Sequence, residues 1–421
     1  MASVQSGLTI RPFRAGDDLD AELDLRHRAF GPADLTREQW LDELHACIAQ
    51  DRLLGVWDGG ELLGAARYYP MLQWWHGRAV PMAGVAGVKV APEARRRGIG
   101  RALMRALLDT LAERGYPLSA LYPATARLYR SLGWEIAGGY YLAEIPARSL
   151  VSLAPPDPYA AAGGGAADGA ATGGAAAGEQ VRIRRAGPKD AAEIIAVLGE
   201  VHRRNADCGP STRDADEIAR WLARPEMFGY LADDGFLAYR WDGSDAALLV
   251  QVIQAASAAT TRALWGIVGS HASVARTVHA AVGPDDPVAW LLGEADLGFD
   301  LHEAWMLRVV SAAAAIEGRG FPPAVRVSVP LLLADSEIGS NAGPRTLIVA
   351  DGRGSLRPGP DAAASAGPGP VVLGPRGLAA LYAGVPVPTL RRSGLMTGGS
   401  ERTDADLAAA FAARSYSLDH F

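Results

Sequence analysis

Between Val85 and Gly115 an apolar strand, a proline, three consecutive arginines and two closely spaced glycines run straight into an amphipathic helix. The residues read Val88, Lys89, Val90, Ala91, Pro92, Glu93, Ala94, Arg95, Arg96, Arg97, Gly98, Ile99, Gly100, Arg101. Leu103, Met104, Leu107, Leu108 and Leu111 then recur at the i, i+3, i+4 spacing of one helix face, with Arg101, Arg105 and Arg114 on the wet side. Gly115 supplies the stop. A chain with this succession must pack a strand, a tight loop and a helix together, which constrains it to an α/β architecture. The first turn of such a helix leaves backbone N–H groups unpaired and carries partial positive charge. Gly98 and Gly100 clear Cβ atoms from its approach, and the arginines add charge-assisted donors. The segment therefore predicts a diphosphate cradle. On residue types alone, a solvated basic run capping a surface helix fits equally well.

Other phosphate motifs fail on the same letters. No Gly-Lys-Ser/Thr follows, as a Walker loop requires, and Leu103 stands where a dinucleotide fingerprint needs its third glycine. Downstream, Tyr129, Arg130, Ser131, Leu132, Gly133, Trp134 form a Tyr-x-x-x-Gly-aromatic step. The two motifs, Arg-x-x-Gly-x-Gly after a strand and this step, together resemble the GCN5-related N-acetyltransferases.

At 421 residues the chain is too long for one common core and predicts two or three domains. Cys47 and Cys208 cannot form a disulfide framework and neither has metal-ligand spacing nearby, which favours a reducing, cytoplasmic setting and no metal. His271 and His279 are spaced as one helix face, but no third ligand accompanies them. The opening residues lack a signal-peptide pattern, and no apolar run approaches a membrane span. A net charge of −6 argues against nucleic acid as the main partner.

Thr36 and Gln39 form a capping box ahead of Trp40, Leu41, Leu44, Cys47 and Ile48, which predicts a helix. Leu53 to Trp57 and Leu62 to Tyr68, joined through Asp58, Gly59 and Gly60, predict a hairpin. Strands at Val80 to Val90, Leu118 to Tyr122 and Trp134 to Ala143 surround the glycine-loop helix and a short helix bearing Tyr129. From Pro155 to Gly178 the sequence collapses to Ala, Gly and Pro and reads as a flexible linker or insertion. Beyond it the start of the chain returns: Ile10, Arg11, Pro12, Phe13, Arg14, Ala15, Gly16, Asp17, Asp18 is echoed by Val181, Arg182, Ile183, Arg184, Arg185, Ala186, Gly187, Pro188, Lys189, Asp190. A second domain of the same architecture is expected there, without the arginine-rich glycine loop. A third α/β region is expected from Trp305, with a helix over Met306 to Ile316, strands at Ala324 to Leu333 and Thr346 to Ala350, and a last helix from Ala405 to Ala413.

The whole layout resembles the enhanced intracellular survival (Eis) acetyltransferases of actinobacteria. The likeness includes the glycine loop, the Tyr129 step, Asp234 with Gly235, Tyr239 with Arg240, Leu264 with Trp265, Asp286 with Pro287, Leu307 with Arg308, Arg319 with Gly320, and the terminal aromatic. It implies tandem acetyltransferase-like mixed-sheet domains followed by a sterol-carrier-like α/β domain. The corresponding spans are 1–150 catalytic, 151–180 linker, 181–304 degenerate copy and 305–421 sterol-carrier-like. It further implies acetyl-CoA as donor, a small-molecule or protein amine as acceptor, aminoglycosides and polyamines included, and a homohexamer. By motif position acetyl-CoA lies against Val88, Lys89 and Val90, then Arg96, Arg97, Gly98, Ile99, Gly100 and Arg101, then Ala124 and Thr125. Tyr129 is implied as general acid and the main-chain carboxylate of Phe421 as general base. His420 stands where other members carry an acidic residue, and the Gly/Ala stretch is this chain's own.

The chemistry is consistent with those roles. Amides near Val88 to Val90 suit an oxyanion, and a phenol of pKa about 10 in water lies near a thiol's value of about 8.5. A terminal carboxylate becomes a useful base only when buried, which an aromatic last side chain favours. Tyr129 also reads as an anchor of its helix on the sheet, and Phe421 as an ordinary frayed end. Trp40, Trp74, Trp75 and His76 read either as cleft residues or as packing. The competing reading of the chain is a non-catalytic CoA- or lipid-binding scaffold.

Overall fold

The computed structural model describes residues 7–31, 36–153, 181–243, 246–293, 297–359 and 369–421; the Gly/Ala-rich stretch lies outside the described residues. In chain order come β1 (Leu8–Pro12), α1 (Leu19–Phe30), α2 (Arg37–Ile48), β2 (Leu53–Asp58), β3 (Glu61–Trp75), β4 (Arg78–Val90), α3 (Ile99–Glu113), β5 (Leu118–Leu121), α4 (Ala126–Arg130) and β6 (Glu135–Pro146). Then follow β7 (Ile183–Ala186), α5 (Ala191–Asn205), β8 (Cys208–Thr212), α6 (Ala215–Leu222), β9 (Phe228–Ala232), β10 (Gly235–Asp242), β11 (Ala247–Ala255), α7 (Ala258–Gly269), β12 (Thr277–Ala281), α8 (Val288–Leu291) and β13 (Gly298–Val309). The C-terminal part holds α9 (Ala312–Gly318), β14 (Val327–Leu333), β15 (Gly343–Ala350), β16 (Arg353–Pro358), β17 (Val371–Leu373), α10 (Pro375–Tyr382), α11 (Val387–Arg392), β18 (Met396–Gly398), α12 (Glu401–Ala410) and β19 (Tyr416–Ser417).

These elements form two units. The first comprises Met1–Gly138, Ala304–Ser415 and His420–Phe421; the second comprises Gly139–Glu303 and Tyr416–Asp419. In the first, one sheet runs β1-β2-β3-β4-β5-β13, antiparallel except for the parallel pair β4–β5. Its other sheet runs β16-β15-β14-β17-β18, parallel only between β14 and β17. The second unit has the order β6-β12-β11-β10-β9-β7, parallel only between β11 and β12, with β19 added parallel to β6.

Both units thus contain an antiparallel meander that ends in a parallel pair bridged by a helix, β4-α3-β5 in one and β11-α7-β12 in the other. The sequence echo persists to the level of single bonds. Arg11 pairs with Asp17 at 2.7 Å and Arg184 with Asp190 at 2.9 Å. Asp17 accepts from the Arg14 amide, and Asp190 from the Gly187 amide. In each copy a carboxylate satisfies the turn's amide and the strand's arginine, so the same local sequence returns the same turn.

Helix α3 buries Leu103, Met104, Leu107, Leu108 and Leu111, the stripe its spacing predicted. The Thr36–Gln39 capping box is formed in full. Strand β3 continues past Tyr68 to Trp75 and turns into β4 through His76 and Gly77, whose φ values of +45° and +73° are those of the two-residue turn that suits strand twist. Trp75 is fully buried, its ring 5.0 Å from Tyr382 and 6.5 Å from Trp305, and His76 Nε2 bonds the Ala412 carbonyl at 2.7 Å. Those two residues are packing, not cleft. Trp40 is buried as well, donating to Glu22.

Three expectations need correction. Met306 to Val309 is the end of strand β13, and α9 starts only at Ala312. The run Trp305 to Val310 is buried on both faces, which erases the alternation that marks a strand. His271 and His279 do not share a helix: His271 follows α7 and bonds the Tyr239 hydroxyl at 2.9 Å, whereas His279 lies on β12. The last helix spans Glu401–Ala410, started by a Ser400–Thr403 capping box that the sequence reading passed over.

Candidate active site

The glycine loop occupies a place where the sheet opens. Strands β4 and β5 pair from Met82 opposite Leu118 to Val85 opposite Leu121; there β5 ends, while β4 runs on to Val90. On its other edge the β3–β4 register slips, with Ala65 opposite Lys89 but Arg67 opposite Ala86. Gly87 and Val88 therefore form a bulge against Ala66, and Gly87 has a φ of +60° that suits glycine. The backbone of Val88 to Val90 faces a gap where β5 would otherwise pair.

Helix α3 starts beside that gap. Gly98 caps it at φ +80°, and a Cβ there would meet no atom within 4 Å. At Gly100 a Cβ would lie 3.5 Å from both Val90 and Leu128, ordinary contact, so β4, α3 and α4 converge at this glycine. The first intrahelical bond runs from the Ala102 amide to the Gly98 carbonyl, which leaves the amides of Ile99, Gly100 and Arg101 without helical acceptors. No side chain caps them. The contrast with the second unit is direct: at the corresponding α7 the Ser257 hydroxyl accepts from Thr260 N–H and closes the helix end. One copy leaves its helix start uncapped; the other closes it with its own side chain.

The arginines divide into two groups. Arg95 and Arg96, both exposed, have no ion-pair or hydrogen-bond partner through their side chains among the described residues, and Arg96 adopts a φ of +67°. Arg97 contacts Asp58 at 3.1 Å. Arg101 donates to the Ser131 carbonyl and hydroxyl at 3.1 and 2.6 Å and pairs with Glu337 at 2.7 Å, so it ties α3 to neighbouring elements. Open amides, a Cβ-free approach and two unpaired guanidinium groups fit a diphosphate.

Lys89 presents only its backbone to this gap. Its side chain is buried away from solvent, with Nζ 2.5 Å from Glu22 Oε1. Burial pulls the ammonium pKa down, and Glu22 opposes that shift. Arg67, Trp40, Glu43 and Tyr69 complete a buried polar cluster: Arg67 lies 3.3 Å from Glu43 and 4.4 Å above the Trp40 ring, and the Tyr69 hydroxyl donates to Glu43. Sequence reasoning missed this cluster. Its one signal was Glu22, a carboxylate on the same helix face as Leu25.

Ala124 and Thr125 lie exposed ahead of α4, and Thr125 makes no side-chain cap. Tyr129 is 4% exposed, and its carbonyl accepts from the amides of both Leu132 and Trp134, which fixes the tight exit of α4. Its hydroxyl has no hydrogen-bond partner among the described residues, and burial alone pushes the phenol up to about 12. Helix α4 is fastened from the far side by Glu135, which takes Arg130 at 2.7 Å and Arg376 at 2.5 Å.

The chain end reaches the same sheet. A Cβ on Gly84 of β4 would stand 2.9 Å from the Phe421 ring, so the terminal side chain lies on β4 where only glycine leaves room. The Tyr122 ring, directly after β5, is 5.5 Å from Phe421 and 4.4 Å from His420. Residues far apart in the sequence thus share the end of the β4–β5 pair. Among the described residues no group of three His, Cys, Asp or Glu side chains is placed to hold a metal, and no helix is long and apolar enough to cross a membrane.

Comparison with known proteins agrees with this layout. Residues 9–137 and 209–309 each match an acetyltransferase (GNAT) domain model, and residues 312–418 match a sterol carrier protein domain model. A GCN5-related N-acetyltransferase from Kribbella flavida is 42% identical and superposes over 98% of both chains with a TM-score of 0.86. The N-acetyltransferase Eis of Mycobacterium tuberculosis is 29% identical over 326 residues, covering 74% of each chain. Eis1 of Mycobacterium abscessus shares the fold, with a TM-score of 0.73 over 98% of this chain and all of its own at 21% identity.

Proposed function

Because this chain belongs to the GCN5-related N-acetyltransferases, with the Eis enzymes among its homologues, we propose that it moves the acetyl group of acetyl-CoA onto primary amines of cationic multi-amine acceptors such as polyamines, aminoglycosides or lysine side chains. One observation carries the reading: the uncapped start of α3 and the unpaired edge of β4 open side by side, with the chain terminus lodged against the same strand.

In this scheme the diphosphate takes the amides of Ile99 to Arg101 with Arg96 beside them, and the pantetheine runs along Val88 to Val90. The thioester oxygen accepts from a β4 amide as negative charge develops on it. A neutral amine attacks the carbonyl carbon; the C–N bond forms, the C–S bond breaks, and the proton shed by nitrogen goes to the Phe421 carboxylate. Tyr129 serves the departing sulfur as general acid. Its raised pKa changes how it does so. A phenol at about 12 holds its proton more tightly than a thiol at about 8.5, so complete transfer costs roughly 5 kcal/mol and the main contribution is a hydrogen bond to the thiolate.

The test is release of free thiol from acetyl-CoA with spermidine, kanamycin or a lysine peptide as acceptor, for the intact chain and for one extended by a single glycine after Phe421. Acceptor-dependent release, lost by about 100-fold in the extended chain while acetyl-CoA binding persists, is the expected result. Thiol release that no amine stimulates would sink the reading.

A further inference from the structure

The peptide between Gly87 and Val88 sits in the bulge, outside the regular β3 ladder and beyond the end of β5. Its orientation is held by a side chain two residues on. Lys89 folds back so that Nζ donates to the Gly87 carbonyl at 3.4 Å. The same nitrogen is fixed by Glu22 Oε1 at 2.5 Å, and Glu22 Oε2 accepts from the Trp40 indole at 2.9 Å. Glu22 and Lys89 have side-chain exposures of 0% and 1%, so water does not compete for these bonds. One line of bonds therefore runs from α2 through α1 to a single carbonyl of β4.

Every peptide bond in the described chain is trans. In a trans peptide the C=O and the following N–H point in opposite directions across one rigid plane. Holding the Gly87 carbonyl on Lys89 thus turns the Val88 N–H away from the Glu22–Trp40 side. We propose that Lys89, locked by Glu22, is a positioning residue that aims the Val88 amide at the thioester carbonyl oxygen. The inference rests on the acetyl-transfer reading above and adds to it the device that sets the oxyanion donor. Gly87 is part of that device through its backbone: its φ of +60° suits glycine, while a Cβ there would make only ordinary contacts, 3.7 Å from Lys89 Nζ and 3.8 Å from Arg67 Nη1.

The variants are Lys89→Met, which keeps the stem and removes the donor, and Glu22→Gln/Lys89→Met, which removes both charges so that no unpaired carboxylate stays buried. Two readouts separate aim from mere structure. Steady-state kinetics should show kcat lowered roughly 10- to 100-fold with the KM for acetyl-CoA changed by less than about twofold. The infrared carbonyl stretch of bound [1-13C]acetyl-CoA should sit below its solution frequency in the unaltered protein and return toward it in both variants. If either variant folds, binds acetyl-CoA and keeps the kcat and carbonyl frequency of the unaltered chain, the inference is overturned and the acetyl-transfer reading stands. A kcat loss without any carbonyl shift overturns it too. If the unaltered protein binds no acetyl-CoA, both readings fall.

Discussion

Tyr129 illustrates how little a residue's type says about its behaviour until its surroundings are known. Burial pushes the Tyr129 phenol up to about 12, and among the described residues its hydroxyl has no hydrogen-bond partner that would stabilise the anion. The group consequently stays protonated across the whole pH range in which an amine acceptor is partly neutral. Activity on the alkaline side should show no loss from Tyr129 below about pH 10, in contrast to an enzyme using an unperturbed phenol. Tyr129→Phe keeps the ring and its packing and removes the donor. It should lower kcat about 100-fold while calorimetry finds acetyl-CoA affinity within about twofold of the parent. An equal fall in affinity would mean that the hydroxyl serves binding instead. At this scale Lys89 is the counterpart: the sequence names it as part of a cradle, and the structure gives its side chain an internal partner in Glu22, so only its backbone is open to that role.

At the scale of elements, Gly133 shows why the Tyr-x-x-x-Gly-aromatic step needs its glycine. The residue has a φ of +94°, and a Cβ would lie 2.7 Å from Pro375 Cβ and 2.8 Å from Arg308 Nε. Arg308 cannot yield, because it is fully buried, donates to the Leu132 carbonyl at 3.0 Å and makes two bonds of 2.8 Å to Asp335. Asn341 closes the network by donating to Asp335 at 3.1 Å. Gly133→Ala should therefore cost about 2–4 kcal/mol in thermal or urea melts, against about 1 kcal/mol for Gly98→Ala, which has positive φ but open space. Similar costs for both would show that backbone strain alone decides. Elements made by contiguous sequence were legible: the α3 stripe, the capping box at Thr36 and the β2–β3 hairpin each follow from neighbours within a few residues. Strand β13 was not, since burial on both faces leaves a featureless apolar run that merges with the alanines of α9. The glycine loop leading into α3 was legible for the same reason. The Glu22–Lys89 link was not, because its partners are joined only by the fold.

At the scale of the whole molecule, the tandem copies keep one architecture and differ at the start of the helix that bridges the parallel pair. The first leaves its helix terminus open, whereas the second closes its own with Ser257 and holds part of the chain end instead. There β19 lies along β6, Arg213 takes Asp419 in two bonds of 2.6 and 2.8 Å, and the Tyr416 hydroxyl donates to Asp207 at 3.0 Å. His202 binds the other oxygen of Asp207 at 2.7 Å. Asp286, itself buried, lies close to this cluster, and burial, reinforced by Asp207, raises its pKa to about 6. A carboxyl raised in the folded state holds its proton there more tightly than in the unfolded chain, so its contribution is largest at low pH. Stability should then fall as pH climbs from about 4 through 6 and level off above. The shift of roughly two units corresponds to about 3 kcal/mol. Asp286→Asn keeps an acceptor for the Val288 amide, whose bond to Asp286 is 3.0 Å, and cannot ionise. Its melting temperature should match the parent's near pH 4 and exceed it at pH 7.5. Parallel melting curves for the two proteins across that range would show that Asp286 keeps an ordinary carboxyl pKa in the folded chain.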